Sequence, residues 1–198
     1  MALRTRITAR SQARQARRVG FSLIEMLTAL TIMAIVSAIA IPKINTTQFR
    51  QDSGARTTRV ALQIAARLAV SKQYDVIVSF DLARHMIRIA EDRNNNAVLD
   101  TGDPIKWRAL EDGAVFEVPS AGVNGGVGAA VVGSNLQTVG GMPSIVFRRN
   151  GATSTDLEVY IGAGRANAHD LRAVTVLQST GRATWYRYAA NGWKEAGL

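Results

Sequence analysis

The stretch from Phe21 to Ile41, FSLIEMLTALTIMAIVSAIAI, constrains this chain more than any other. Its one charge is Glu25. At about 1.5 Å per residue, a helix over this run would be about 31 Å long, enough to cross a hydrocarbon core. A carboxylate inside such a run is costly in lipid, so Glu25 reads as a functional group in need of a partner. Ser22-Leu23-Ile24-Glu25 also has the spacing of a capping box, which would satisfy the first amides of the helix. A glutamine would cap as well, so capping alone does not account for a charge there.

Upstream, residues 1–20 form a basic leader with Arg4, Arg6, Arg10, Arg14, Arg17 and Arg18 and no acid. The leader has no apolar stretch and is expected to have no stable fold. The formal charge of +9 comes from 24 basic and 15 acidic residues. Without the leader arginines, 18 basic residues face 15 acidic ones, a net of +3. The high pI is therefore largely a leader effect and does not argue for nucleic acid by itself. Positive flanks stay cytoplasmic, so the C-terminal part is expected across the membrane. The chain has no cysteine, hence no disulfide and no thiol nucleophile. A rival reading is an ordinary secretory signal with Ala38-Ile39-Ala40 as its cleavage site, giving a plain secreted protein cut after Ala40. The long leader, Glu25 inside the apolar region and Pro42 beside the cut count against it.

GFSLIEML at Gly20–Leu27, with Pro42 beyond it, resembles the class III signal of type IV prepilins and type II secretion pseudopilins. IVFRRNG at Ile145–Gly151 and LRAVTVLQSTGRATWYR at Leu171–Arg187 resemble the GspH/FimT branch of that family. The resemblance implies that a prepilin peptidase/methyltransferase cuts between Gly20 and Phe21 and methylates Phe21. Glu25, fifth after the cut, would serve assembly by pairing with the new amine of Phe21 on a neighbouring subunit. Other pilins or pseudopilins and an inner-membrane assembly platform would be the partners. The implied fold is α+β and pilin-like: a long N-terminal helix, transmembrane in its first half, packed on a C-terminal antiparallel β-sheet domain. The implied role is structural, as a minor pseudopilin or pilin near the tip of a type II secretion pseudopilus or type IV pilus. Such a chain would sit in the bacterial inner membrane as a single-pass protein, with its C-terminal domain in the periplasm.

The expected divisions are the leader at 1–20, the transmembrane half of the helix at 21–41, its extramembrane half at 42–73, and a β-rich domain at 74–198. Pro42 lacks the N–H that would bond to the Ala38 carbonyl, so a kink is expected there. Ala34 and Ala38, with Thr31 and Ser37, offer a small-residue face for close helix contact. Val60, Ile64 and Leu68, flanked by Ala61, Ala65 and Ala69, form an apolar stripe at helical spacing. Gly54 is expected to weaken the middle of this helix and let it bend. From Asp75 the period changes to two, and DVIVSF reads as a strand followed by a turn at Asp81-Leu82-Ala83. The returning strand covers Arg84–Glu91 and would place His85, Ile87 and Ile89 on one face. Pro104–Leu110, Ala114–Val118, Ser144–Phe147, Leu157–Ile161, Arg172–Leu177 and Arg182–Tyr188 are further strands. Val174 and Val176 on one face, with Leu171, Ala173 and Leu177 on the other, suggest a strand covered on both sides. Residues 119–143, with seven glycines and two prolines, read as a long flexible loop.

Two constellations suggest ligands. Asp92, Asn94, Asn96, Asp100 and Asp103 fall at positions 1, 3, 5, 9 and 12 of a calcium loop, with the Val98 carbonyl at 7. Against calcium as a cofactor, Ala97 stands where such loops need glycine, and Asp103 is shorter than the usual glutamate. A turn-rich hairpin loop is the simpler reading. The FimT branch is associated with DNA uptake through a C-terminal GRxR motif. Here Gly181-Arg182 continues as Ala183-Thr184, and Arg187 would point to the opposite strand face from Arg182. A FimT-like DNA-binding minor pilin is therefore an alternative lacking a simple patch. Trp185, Tyr186, Tyr188 and Trp193 could stack on bases, although terminal-strand aromatics more often fill a core. The sequence contains no P-loop and no G-x-S-x-G elbow, and its two histidines form no triad pattern, so no enzyme is expected.

Overall fold

A computed structural model describes residues 20–40, 46–125, 128–164, 171–189 and 192–196. It falls into two compact units, residues 1–44 and 45–198. The fold is α+β, with an N-terminal helix followed by an antiparallel β domain. In the first unit, helix α1 spans Leu23–Ala40. Its apolar side chains cover all sides rather than one stripe, and Leu23, Ile24, Met26, Leu27, Leu30, Ile32, Met33, Ile35 and Val36 are all exposed. The expected kink at Pro42 lies outside the described residues.

The second unit opens with helix α2, Thr46–Lys72, which ends as Gln73 enters the left-handed region at φ 60°. Among the described residues eleven strands follow: β1 Asp75–Asp81, β2 Met86–Asp92, β3 Ile105–Ala109, β4 Val115–Phe116, β5 Val131–Val132, β6 Gln137–Val139, β7 Met142–Phe147, β8 Leu157–Gly162, β9 Arg172–Val176, β10 Ala183–Ala189 and β11 Gly192–Glu195. They form one sheet in the order β3-β2-β1-β7-β6 and a second in the order β11-β10-β9-β8-β4, with β5 also on β8. The pairings are antiparallel throughout. Period-two patterning explains the face choice. Val76, Val78 and Phe80 of β1 enter the main core with Ile87 and Ile89 of β2, while Ile77 and Ala90 join a smaller cluster with Val139 and Val146.

α2 packs against both sheets along the alanine side of the expected stripe. Ala55, Ala61, Leu62, Ala65 and Ala69 are fully buried, whereas Val60 is exposed and Ile64 and Leu68 are only partly covered. The buried line is offset because alanine lets the helix axis approach the strands more closely than branched side chains would. Gly54 follows the same logic and serves close packing. α2 runs through it unbroken, and a Cβ there would lie 2.6 Å from Ala114 Cβ and 2.9 Å from Ile161 Cγ2.

Three further expectations are corrected. His85 does not belong to β2; it closes the preceding turn at φ 53°, and its Nδ1 accepts the Phe116 N–H at 3.2 Å. Leu177 is exposed, so the outer face of β9 is covered less fully than expected. Residues 119–143 contain β5 and β6 and are tied down beside them. Tyr160 Oη accepts the Val123 N–H at 3.0 Å, Trp193 Nε1 donates to the Ala121 carbonyl at 3.0 Å, and Asn124 Nδ2 donates to Glu158 at 2.5 Å.

Replacing Gly54 by alanine should raise helix propensity by about 1 kcal/mol but crowd β8 and the start of β4, at a cost of about 1–3 kcal/mol. The expected outcome is a lower melting temperature for Gly54→Ala and a lower one still for Gly54→Val, followed by circular dichroism. A stabilised alanine variant would contradict this seating of the helix.

Candidate functional site

The processing residues expected from the sequence sit at the start of α1. Gly20, Phe21 and Ser22 precede the helix in non-helical conformation, and all three are exposed. The Ser22 carbonyl accepts the Met26 N–H at 3.1 Å, which makes Ser22 the residue from which the helix starts. Glu25 is the one acid of the first turn and is exposed. Among the described residues no ion pair or side-chain hydrogen bond reaches its carboxylate. Its backbone carbonyl accepts the Thr28 hydroxyl at 2.9 Å, and Thr28's carbonyl accepts the Thr31 hydroxyl at 2.8 Å. The polar side chains along this helix thus turn back onto their own backbone, leaving a single carboxylate projecting from an apolar surface. Residues 21 and 25 are separated by one helical turn, the spacing at which an amine at one position and a carboxylate at the other come within reach.

The loop from Asp92 to Asp103 closes on itself. The two oxygens of buried Asp92 accept the N–H groups of Asn96 and Ala97 at 3.3 and 2.7 Å. Asn94 Oδ1 accepts the Asn96 N–H at 3.3 Å, and Asn96 Oδ1 accepts the Val98 N–H at 2.8 Å. One oxygen of Asp100 takes both asparagine amides, from Asn94 at 2.7 Å and Asn96 at 2.9 Å. Asp103 Oδ2 accepts the Asp100 N–H at 2.9 Å. Ala97 adopts φ 59°, the left-handed conformation that the missing glycine would take freely. Among the described residues no group of three or more His, Asp or Glu side chains is placed to hold a metal ion.

Arg182 and Arg187 do not meet. Arg182 precedes β10 and lines an open groove of about 730 Å³ together with Asp156, Glu158, Thr184, Tyr186 and Glu195. Arg187 lies on the other face of β10, directly opposite Arg172 of β9. Both of these arginines grip Asp52 of α2: Arg172 Nε donates to Oδ1 at 2.5 Å, and Arg187 Nη2 donates to Oδ2 at 2.9 Å. Arg172 is fully buried, so Asp52 is the counter-ion that makes its burial tolerable. Sequence reasoning missed this pairing, because Asp52 and Arg172 are 120 residues apart. Trp185 is buried in the core, whereas Trp193 stacks beside Tyr160 at 5.7 Å.

Two titratable groups are shifted beside the second sheet. Burial, then the hydrogen bond to Glu158, pushes the Tyr160 phenol up, and burial pushes the Glu117 carboxyl up against a hydrogen bond from the Gly164 backbone. Neither adjoins a nucleophile or a second acid in an arrangement that would suggest catalysis.

Comparison with known proteins bears on the first helix above all. Residues 17–41 match the family model for the prokaryotic N-terminal methylation motif. The chain is similar in structure to the minor pseudopilin EpsH of the Vibrio cholerae type II secretion system. One structure of it aligns at 11% identity and TM-score 0.43, covering 75% of this chain and 97% of that one. A crystal structure of it aligns at 14% identity and TM-score 0.48, covering 72% and 96%. No curated protein matches the sequence.

Asp52→Ala should leave Arg172 buried without a counter-ion and cost about 3–5 kcal/mol, read from the denaturant midpoint. Arg187→Ala, at the exposed end of the same cluster, should cost no more than about 1 kcal/mol. Equal losses in the two variants would contradict this assignment. Through residues 17–41 the chain carries the prokaryotic N-terminal methylation motif.

Proposed function

We propose that this chain is a minor pseudopilin or minor pilin of the GspH/FimT type, a structural subunit of a type II secretion pseudopilus or a type IV pilus, placed at or near the tip. The observation that carries this reading is one carboxylate, Glu25, on a helix that is apolar on every side, within the residues that match the methylation motif. Peptidase cleavage after Gly20 would free the Phe21 amine, and methylation would leave it basic and positively charged. In a low-dielectric environment a carboxylate and an ammonium attract strongly, and either one left alone is penalised. A subunit whose Glu25 meets the Phe21 amine of its neighbour neutralises both charges, which gives docking a driving force and a register.

Among the described residues no helix is long and apolar enough to cross a membrane. α1 has 18 residues, and at about 1.5 Å each it reaches about 27 Å against a hydrocarbon core of about 30 Å. The apolar run in the sequence is longer, from Phe21 to Ile41, and supports an inner-membrane anchor with the second unit in the periplasm. The role proposed is structural rather than enzymatic.

The expected behaviour of Glu25→Ala is normal leader removal with loss of entry into the fibre, measured by co-purification with sheared fibres. Replacing Gly20 by a bulky residue should leave the leader attached, visible as a heavier band. Normal incorporation of Glu25→Ala would refute the charge-pairing role.

A further inference from the structure

Arg88 stands mid-way along β2, on the face of the first sheet opposite Ile87 and Ile89, which enter the main core. It is only 4% exposed. Nη2 donates to Ser79 Oγ and to the Val139 carbonyl, both at 2.8 Å. Nε is buried with no hydrogen-bond partner, and among the described residues Nη1 has none either. Ser144 Oγ lies 2.8 Å from Ser79 Oγ, and the guanidinium carbon sits 5.8 Å from the centre of the Trp107 ring. Among the described residues the surroundings are hydroxyls, a carbonyl and an aromatic face, with no carboxylate within ion-pair reach. Burial alone pulls this guanidinium below its ordinary value, and no acidic neighbour offsets the pull. A buried cation without a counter-ion is an arrangement that proteins normally avoid.

The turn between β6 and β7 gives the site its opening. Gly140, at φ +60°, lies so close that a Cβ there would come within 3.0 Å of Arg88 Nη1. Gly141 is also exposed, and a Cβ on it would meet nothing. Side chains at position 140 would cap the guanidinium, whereas glycine leaves it reachable from solvent beside the half-exposed Trp107.

We propose that Arg88 is the receptor for an acidic side chain of a neighbouring fibre subunit, whose carboxylate enters past Gly140 and Gly141 and lies along Trp107. Nη2 is already committed to Ser79 and Val139, so Nη1 is the donor left beside Gly140, and one carboxylate oxygen matches it, whereas a phosphate dianion is better served by a cluster of cations. This interaction rests on the fibre-subunit reading above, and it would orient the second unit independently of Glu25.

The missing anion can be supplied within the chain. Asparagine and aspartate both tolerate a left-handed backbone, so Gly140→Asn and Gly140→Asp differ chiefly in charge. In the full chain in detergent micelles, Gly140→Asp should melt about 2–4 °C above Gly140→Asn. That difference should vanish when Arg88→Gln is added. In cells, Gly140→Asp should fill the receptor from within and lower incorporation into the fibre by about tenfold, whereas Gly140→Asn should enter more readily than Gly140→Asp. Equal melting temperatures for the two variants would mean that Arg88 needs no anion and would overturn the proposal. Stabilisation by Gly140→Asp with undiminished incorporation would overturn the neighbouring subunit as its source. Were the unaltered chain itself absent from any fibre, the fibre-subunit reading would fall, and the micelle comparison would still decide whether Arg88 accepts a carboxylate.

Discussion

Helix α2 meets the two sheets chiefly through alanine and glycine, with Leu62 as its one large fully buried apolar side chain, and the arrangement of the second unit depends on that close approach. Ala55, Ala61, Ala65 and Ala69 bring the helix backbone down to the strands, and Gly54 allows contact with Ala114 and Ile161. Once the helix is that near, Asp52 falls within reach of Arg172 and Arg187, and the otherwise costly burial of Arg172 becomes tolerable. Packing therefore places the charges, and the charges in turn fix the helix against β9 and β10.

The first unit obeys a different rule. α1 has no polar face to present to water, and its side chains from Leu23 to Ala38 are exposed. Such a helix needs an apolar environment supplied from elsewhere, by lipid or by other helices. On the proposed reading, its lone carboxylate would set the terms of association, because a charge in an apolar environment calls for an opposite one. Residues 17–41, which match the methylation motif, contain both the glutamate and the residue whose amine would answer it.

Much of this was legible in the sequence, for identifiable reasons. The apolar run, Glu25 and the glycine before Phe21 are contiguous, so reading them needed no tertiary contact. The change of period at Asp75 marked the start of β1, and the Asn-rich segment after β2 marked a self-bonded loop. What escaped depended on partners far away. On the α2 stripe Ala61, Ala65 and Ala69 are buried as expected, but apolar size draws attention to the exposed Val60, whereas the close fit selects Leu62. Gly54 looked like a weakness because its crowding comes from Ala114 and Ile161. His85 looked like a strand residue, because nothing local announces a positive φ or a bond to Phe116. Residues 119–143 looked loose because the groups that hold them, Glu158, Tyr160 and Trp193, lie on strands that come later. The Asp52 cluster and the unpaired Arg88 could be recognised only once the strands were in register.

The central claim is that leader removal creates the amine that Glu25 requires. Intact mass and N-terminal sequencing of the mature chain from cell membranes test it most directly. The account expects a chain that begins at Phe21, is one methyl group heavier than its sequence, and retains the whole of α1. A mature chain beginning at Ile41, with the helix and its glutamate discarded, would contradict it.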